Sequence, residues 1–418
     1  MTEDGKPGGR WRALFGRGKR RPVLSPGHDM RLLQSGEAFF PALEAAIDSA
    51  QKSVWIETYI FNDDRSGRRI AAALSRAAAR GVEVRLVVDG FGTGAPRGEI
   101  AQRLGSAPVQ IRQFRPVARW RITRRALRRL HRKLVLIDER TGFVGGINLI
   151  DDYVDPVRGR LEAPRLDFAL ELRGPLLEQQ RTAMQSVWSK AQPLTLAGAS
   201  SHEPLSAPET PATEAGRGSA DLLFHSGVRA AFVERDNWRN RRTIERAYLR
   251  AIGAARSEVV IACAYFFPGA RFRRALVEAV RRGVRVRLLL QGKIDHPIAH
   301  FGMLALYEDL LRAGIEIIEY QPSFLHAKLA LADQWFTVGS SNIDPFSLLL
   351  AREANVIAVD ASAAEEIRAC IERAIEQGGR VVRWSHVLRR PWWLRAATLL
   401  AYLALRAGVA ISGRGLRY

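Results

Sequence analysis

The sequence predicts an α/β protein built from two copies of one domain, and three observations carry that prediction. A short pattern occurs twice. It reads His131-Arg132-Lys133, four apolar residues and Asp138, then Gly145-Gly146-Ile147-Asn148; and again His326-Ala327-Lys328, four residues and Asp333, then Gly339-Ser340-Ser341-Asn342. A second pair of stretches matches as well, Gly81-Val82-Glu83-Val84-Arg85-Leu86 against Gly283-Val284-Arg285-Val286-Arg287-Leu288. Finally, 418 residues with 47% hydrophobic content suffice for two or three cores. A repeat of this length duplicates a whole domain rather than a solenoid unit.

In chain order, residues 1–28 are basic and rich in Gly, with Trp11, Leu14 and Phe15 among the charges. They read as a flexible segment able to meet an anionic surface. Residues 29–190 form the first domain. Ser35 is a candidate cap for a helix carrying Phe40, Leu43 and Ile47. A strand over Ser53–Phe61 follows, then a helix with Ile70, Leu74 and Ala78 on one face, ending before Gly81. Strands at 81–90 and 109–114 lead to the first motif. Residues 191–220, rich in Pro, Ala, Ser, Thr and Gly, read as a linker. The second domain, residues 221–383, repeats the order with strands at Glu258–Phe267, 283–292 and Ile315–Tyr320.

The offset between copies is 202 at the Gly-Val strands and 206 at the next, but 195 at the motifs. Eleven extra residues therefore precede His131, inside the segment Val117–Leu130. Six arginines, Arg119, Arg121, Arg124, Arg125, Arg128 and Arg129, are interleaved there with Trp120 and aliphatic residues, a composition suited to docking on lipid headgroups. Residues 384–418 form a basic and apolar terminal helix in which Trp392 and Trp393 beside Arg395 suit a membrane interface. Arg395 and Arg406 interrupt its apolar run, so it reads as an interfacial helix and not a spanning one.

A net charge of +21 implies an anionic partner, a phospholipid surface or nucleic acid. The clustering of aromatics with Arg at the two termini and the arm favours the membrane over a nucleic-acid groove. Cys263 and Cys370 offer neither a disulfide framework nor zinc spacing, and a reducing compartment fits. No apolar stretch of signal-peptide length follows the basic N-terminus, so export is not expected.

Only seven of the 64 basic residues are Lys, yet Lys lies two positions after two of the eight His, with an Asn 16 or 17 residues after each His. Residues two apart on a strand share a face, so His131 projects with Lys133 and His326 with Lys328. Asp138 and Asp333, seven positions after their His, have opposite parity; they complete the motif as candidate catalytic residues but fit a brace behind the site better. The set suits phosphoryl transfer. One imidazole attacks phosphorus while the other protonates the leaving alkoxide. Lys133, Lys328, Asn148 and Asn342 supply charge and donors to the phosphate oxygens. No metal or other cofactor is needed, since two ammonium groups beside the imidazoles would repel a cation and no carboxylates have ligand spacing.

These residues resemble the phospholipase D superfamily, marked by a duplicated H-x-K-x4-D, and within it the shorter bacterial cardiolipin synthases without N-terminal transmembrane helices. Glu57-Thr58-Tyr59-Ile60-Phe61, Ala264-Tyr265-Phe266-Phe267-Pro268-Gly269 and Gly339-Ser340-Ser341-Asn342-Ile343-Asp344-Pro345 extend the likeness, which spans roughly residues 29–375. The resemblance implies two α/β/α domains related by a pseudo-twofold axis, with the active site at their interface. It implies metal-independent transfer of a phosphatidyl group from phosphatidylglycerol or a similar donor to another phospholipid's hydroxyl, the alternative being a hydrolytic phospholipase D or a phosphodiesterase or nuclease of the same superfamily. His131 would be the nucleophile and His326 the acid/base. A carboxylate downstream of each motif orients a His in relatives; Glu353 and Asp167 hold those places. Partners would be anionic phospholipids, including phosphatidylglycerol and cardiolipin, at the cytoplasmic face of a bacterial membrane, held peripherally or monotopically, with no nucleic acid. Pro345-Phe346-Ser347 departs from the Arg-Ser of many members and removes a charge there.

Overall fold

A computed structural model describes residues 22–116, 128–196, 223–236, 240–344 and 351–411. Its first half contains β1 (Ser25–Gln34), α1 (Ser35–Ser49), β2 (Ser53–Thr58), α2 (Arg65–Ala79), β3 (Glu83–Asp89), α3 (Gly98–Gly105), β4 (Val109–Phe114), β5 (Lys133–Ile137), β6 (Thr141–Gly145), β7 (Val154–Asp155), β8 (Gly159–Arg160), β9 (Phe168–Arg173), α4 (Leu176–Trp188) and β10 (Gln192–Pro193). The second contains β11 (His225–Arg235), α5 (Thr243–Ala254), β12 (Glu258–Cys263), α6 (Ala270–Arg281), β13 (Arg285–Gln291), α7 (Pro297–Leu304), α8 (Tyr307–Arg312), β14 (Glu316–Tyr320), β15 (Lys328–Ala332), β16 (Trp335–Gly339), β17 (Glu353–Val359), α9 (Ala361–Gly378) and β18 (Gly379–Val381). After these come α10 (Trp384–Leu388) and α11 (Trp392–Ile411).

One sheet runs through both halves in the order β10-β4-β3-β2-β5-β6-β9-β1-β11-β17-β16-β15-β12-β13-β14-β18. The order reads the same from either end once each strand is replaced by its counterpart, which is the pseudo-twofold symmetry. The seam is the antiparallel pair β1–β11. Strands β2, β3 and β4 are parallel, as are β12, β13 and β14, and the motif strands β5 and β15 run antiparallel to them. Helices cover both faces, as a largely buried sheet requires. Side chains of α1, α2 and α3 fill one core of the first half, and α5, α6 and α7 its counterpart in the second. On the opposite face a single core crosses the seam, joining Leu32, Trp55 and Trp188 to Ala230, Phe336 and Ile371. The halves thus share apolar burial and do not merely touch.

Local signals explain the element ends. Asp64 caps α2 by accepting from Gly67 N at 2.9 Å, and Asp360 caps α9 through Ala363 N at 2.8 Å. Gly81 and Gly283 follow their helices at φ +86° and +85°, a conformation that disfavours other residues. Ser35 is not a cap: its hydroxyl bonds Arg165 O at 3.0 Å and its φ is 57°. The strand expected to reach Phe61 ends at Thr58, and that expected to reach Phe267 ends at Cys263. The first domain starts earlier than residue 29, because β1 begins at Ser25. The linker starts later than residue 191, since Gln192 and Pro193 pair with β4 and Leu194 N donates to Ile111 O.

Candidate active site

Each motif histidine stands just before its strand, and the backbone of the other half holds it there. His131 N donates to Arg352 O at 3.0 Å, and Arg352 N to Arg129 O at 2.8 Å. In the mirror arrangement His326 N donates to Leu166 O at 2.8 Å, and Leu166 N to Phe324 O at 3.0 Å. These exchanges deliver the next residue in each case, a carboxylate, to the opposing imidazole. His131 Nδ1 lies 3.1 Å from both oxygens of Glu353, and His326 Nδ1 lies 2.6 Å from Asp167 Oδ2. The downstream carboxylates therefore serve the His of the other copy. Gly146 makes the close approach possible, since a Cβ there would meet Asp167 Oδ1 at 2.2 Å. The equivalent Ser340 instead donates its hydroxyl to Glu353 at 2.6 Å.

Lys133 and Lys328 project with their histidines, as strand parity requires, and each ammonium bonds the carbonyl of the His two residues earlier. Burial brings Lys133 down to about 7, with Glu353 resisting, and lowers Lys328 as well. Burial also lowers His131, against the pull of Glu353, and drives His326 well below its ordinary value with the help of Lys328 and Lys133. Glu353 would be raised by its own burial, but His131, Lys133 and Ser340 hold it below the usual range. Asp167 goes the other way: burial raises it to about 6, against Lys328. Near neutral pH the first pair is thus a neutral imidazole on a carboxylate, while the second sits closer to exchanging a proton. Two buried lysines beside two imidazoles make an anion site, because a bound phosphate favours their charged form, which burial disfavours.

Asn148 is buried and accepts from Ile60 N at 3.2 Å; Asn342 is buried with no partner for Oδ1 among the described residues. Asp138 and Asp333 lie at the far ends of β5 and β15, so their place among the catalytic residues is corrected. Asp138 accepts from the amides of Gln51, Lys52 and Ser53 at 2.8–2.9 Å. Asp333 accepts from those of Arg256, Ser257 and Glu258 at 2.8–3.0 Å. Both adopt positive φ, 51° and 52°, which Asp tolerates better than most residues. They lock the turn entering β2 or β12. Asp138→Ala is expected to lower stability by about 1–2 kcal/mol, discounted for partial exposure. Chemical denaturation measures that loss, and folded enzyme should still form a covalent intermediate.

Arg119, Trp120, Arg121, Arg124 and Arg125 of the arm lie outside the described residues, as does Pro345-Phe346-Ser347. Arg129 does not belong to a docking surface. It is mostly buried, 3.6 Å from Asp89 and stacked over Phe91 at 5.5 Å. Arg128 is half-buried. Trp392 and Trp393 are 81% and 58% exposed on α11, while Thr398, Ala401 and Leu405 on another face of that helix are buried. Among the described residues no helix is long and apolar enough to cross a membrane, and no three His, Cys, Asp or Glu are grouped to hold a metal ion.

Three features escaped the sequence. The Tyr59 ring stands edge-on to His131, centroids 5.1 Å apart, with Lys133 Nζ 5.4 Å from the Tyr59 centroid. Asp89 Oδ2 accepts from Leu130 N at 2.8 Å, and its counterpart Gln291 from Leu325 N at 2.9 Å, so each fixes the residue before a motif His. Arg132, pointing away from His131, forms a buried pair with Glu57 at 2.7 Å. Strand parity could have shown that Arg132 needs an internal anion.

Comparison with known proteins accords with this geometry. The crystal structure of phosphatidylserine synthase from Haemophilus influenzae shares the fold, with a TM-score of 0.66 at 14% identity over 94% of this chain and 97% of that one. Cardiolipin synthase B of Escherichia coli is 36% identical over 399 residues, covering 93% of this chain and 90% of that protein. Cardiolipin synthase A of Pseudomonas entomophila is 31% identical over 365 residues, 87% of this chain and 71% of that protein. The family model described as cardiolipin synthase, PLD-like domain, matches residues 43–160 and 248–375, one in each half. The chain belongs to the phospholipase D-like cardiolipin synthase family.

Proposed function

We infer that the protein is a cardiolipin synthase, a phosphatidyltransferase that moves a phosphatidyl group from phosphatidylglycerol or a similar donor to the hydroxyl of another phospholipid. The observation that carries this reading is the pair of crossed dyads, His131–Glu353 and His326–Asp167, with Lys133 and Lys328 between them. In the first step His131 Nε2 attacks phosphorus, the bond to the leaving alkoxide breaks, and the His326–Asp167 pair gives that oxygen its proton. The product is a phosphohistidine. Glu353, kept ionised, balances the charge that grows on the His131 ring. In the second step His326 takes the proton of an acceptor alcohol, whose oxygen displaces His131 and forms the new phosphodiester. Lys133 and Lys328 balance charge on the non-bridging oxygens throughout.

The docking surface we propose is the outer face of α11. Its inner face packs on α7, where Leu405 fills the space over Gly302, and Tyr402 stacks on Phe267 at 5.4 Å. The outer face exposes Trp392, Trp393, Leu399, Leu400 and Leu403 beside a chain of net charge +21. A peripheral place on the cytoplasmic side of a bacterial membrane suits that surface and two buried thiols.

Purified protein incubated with phosphatidylglycerol vesicles should form cardiolipin, with EDTA present, and with or without added phosphatidylethanolamine. Phosphatidic acid as the only product would replace the synthase reading with a hydrolase; cleavage of single-stranded DNA with inert lipid would remove the lipid reading altogether. Trp392→Ala with Trp393→Ala should weaken vesicle sedimentation about tenfold or more, and activity on detergent-dispersed lipid much less. Equal losses on both would rule α11 out as the docking surface.

A further inference from the structure

The two halves agree closely at the reacting groups and diverge in the segments that follow β2 and β12, and β3 and β13. Strand pairing sets the correspondence: Val54 faces Ile137 as Val259 faces Ala332, which makes Ile60 the counterpart of Tyr265. Asp89 and Gln291 end β3 and β13, which makes Thr93 the counterpart of Asp295. In the first half Ile60 offers no polar side chain, and the Thr93 hydroxyl is consumed by Tyr59 O and Phe61 N at 2.9 and 3.0 Å. In the second half the Tyr265 hydroxyl donates to Asp295, and both residues are only half-buried. Resting on the transferase reading above, we propose that Tyr265 and Asp295 form the subsite that receives the diol of a glycerol-type alcohol acceptor.

Three further observations place this pair where an acceptor must arrive. The residue before Tyr265, Ala264, donates its N–H to Ala327 O at 3.1 Å, between His326 and Lys328. The acceptor's proton goes to His326, so its hydroxyl has to approach from this half. Burial weakens the hold of Lys328 on its proton, and the charges that oppose this are led by Asp167 and include, as the smallest, Asp295. Asp295 Oδ1 accepts from His296 N at 2.6 Å, which fixes the carboxylate plane. With the Tyr265 proton committed to Asp295, the phenol oxygen can accept from one hydroxyl and the carboxylate from a second, a two-acceptor pattern that matches the two donors of a vicinal diol and not the one of a simple alcohol. A site built for a hydroxyl discriminates strongly against an analogue that lacks it.

The test is a competition. Tyr265→Phe and Asp295→Asn are assayed with unlabelled phosphatidylglycerol as donor and equal isotopically labelled glycerol, propan-1-ol and ethanolamine as soluble acceptors, and the labelled lipids formed from each are measured in one reaction. The ratio is internal to each sample, so a general loss of activity cancels. Wild type should favour glycerol, and each variant should lower that preference about tenfold or more, while Asp295→Glu recovers part of it. An unchanged ratio would overturn the subsite. So would a variant that loses transfer to ethanolamine selectively while keeping its preference for glycerol, because the pair would then serve an amine headgroup. Wild type that yields no alcohol transfer at all would instead bring down the transferase reading itself.

Discussion

His131→Ala is expected to abolish the covalent intermediate and to lower turnover by about 10,000-fold or more, whereas His326→Ala should separate the two steps. A donor whose leaving group is a nitrophenol needs no proton on departure, so the His326 variant should still transfer phosphorus to His131. It cannot then deprotonate the acceptor. Acid-labile phosphohistidine should accumulate in that variant, and rapid quenching with labelled donor reads it directly. The structure explains the asymmetry through the carboxylates. Glu353 has an extra donor in Ser340 and remains ionised, which suits a ring that becomes positive on phosphorylation. Asp167 has no such hydroxyl and is raised to about 6, which suits a pair that passes a proton. Label on the His131 variant and none on the His326 variant would exchange the two roles.

Arg132→Ala should cost about 3–5 kcal/mol of stability, although Arg132 does not face the phosphate. Its guanidinium is fully buried, bonds both oxygens of Glu57 at 2.9 and 3.0 Å, reaches Ala183 O at 3.1 Å, and touches Glu234 across the seam at 3.3 Å. Removing it strands the Glu57 carboxylate in a region where burial already pushes its proton affinity up. The second half has Ala262 and Ala327 at the corresponding places, so the fold tolerates an apolar pair there. The double variant Glu57→Ala with Arg132→Ala should therefore lose clearly less than the sum of the single losses. Denaturation midpoints of the four proteins decide it; additive losses would mean that the ion pair does not act as a unit.

How legible all this was depends on the range of the interaction. Duplicated motifs, helix-stopping glycines at 81 and 283, and the His–Lys parity are local, and they stood in the sequence. The seam strands did not. In β1 only Met30, Leu32 and Leu33 are apolar, while His28 is buried among charges, so no clear alternation announced a strand. Without β1 and β11 the crossing of Glu353 and Asp167 was out of reach, because it comes from backbone exchanges between residues about 160–220 positions apart. The motif aspartates were half legible. Their parity placed them away from the substrate, but the amides they hold belong to turns about 80 residues distant.

Crossed carboxylates also bear on how the enzyme comes into being. A chain emerging from the ribosome completes its first half before the second exists. At that stage His131 has neither Glu353 to hold its ring nor His326 to move a proton, and Asp167 has no imidazole to serve. On the roles proposed above, the first half by itself is expected to form no phosphohistidine. On those roles both histidines become competent together, once β11 pairs with β1 and the shared core forms, and a truncated product with one motif is expected to leave lipid unmodified.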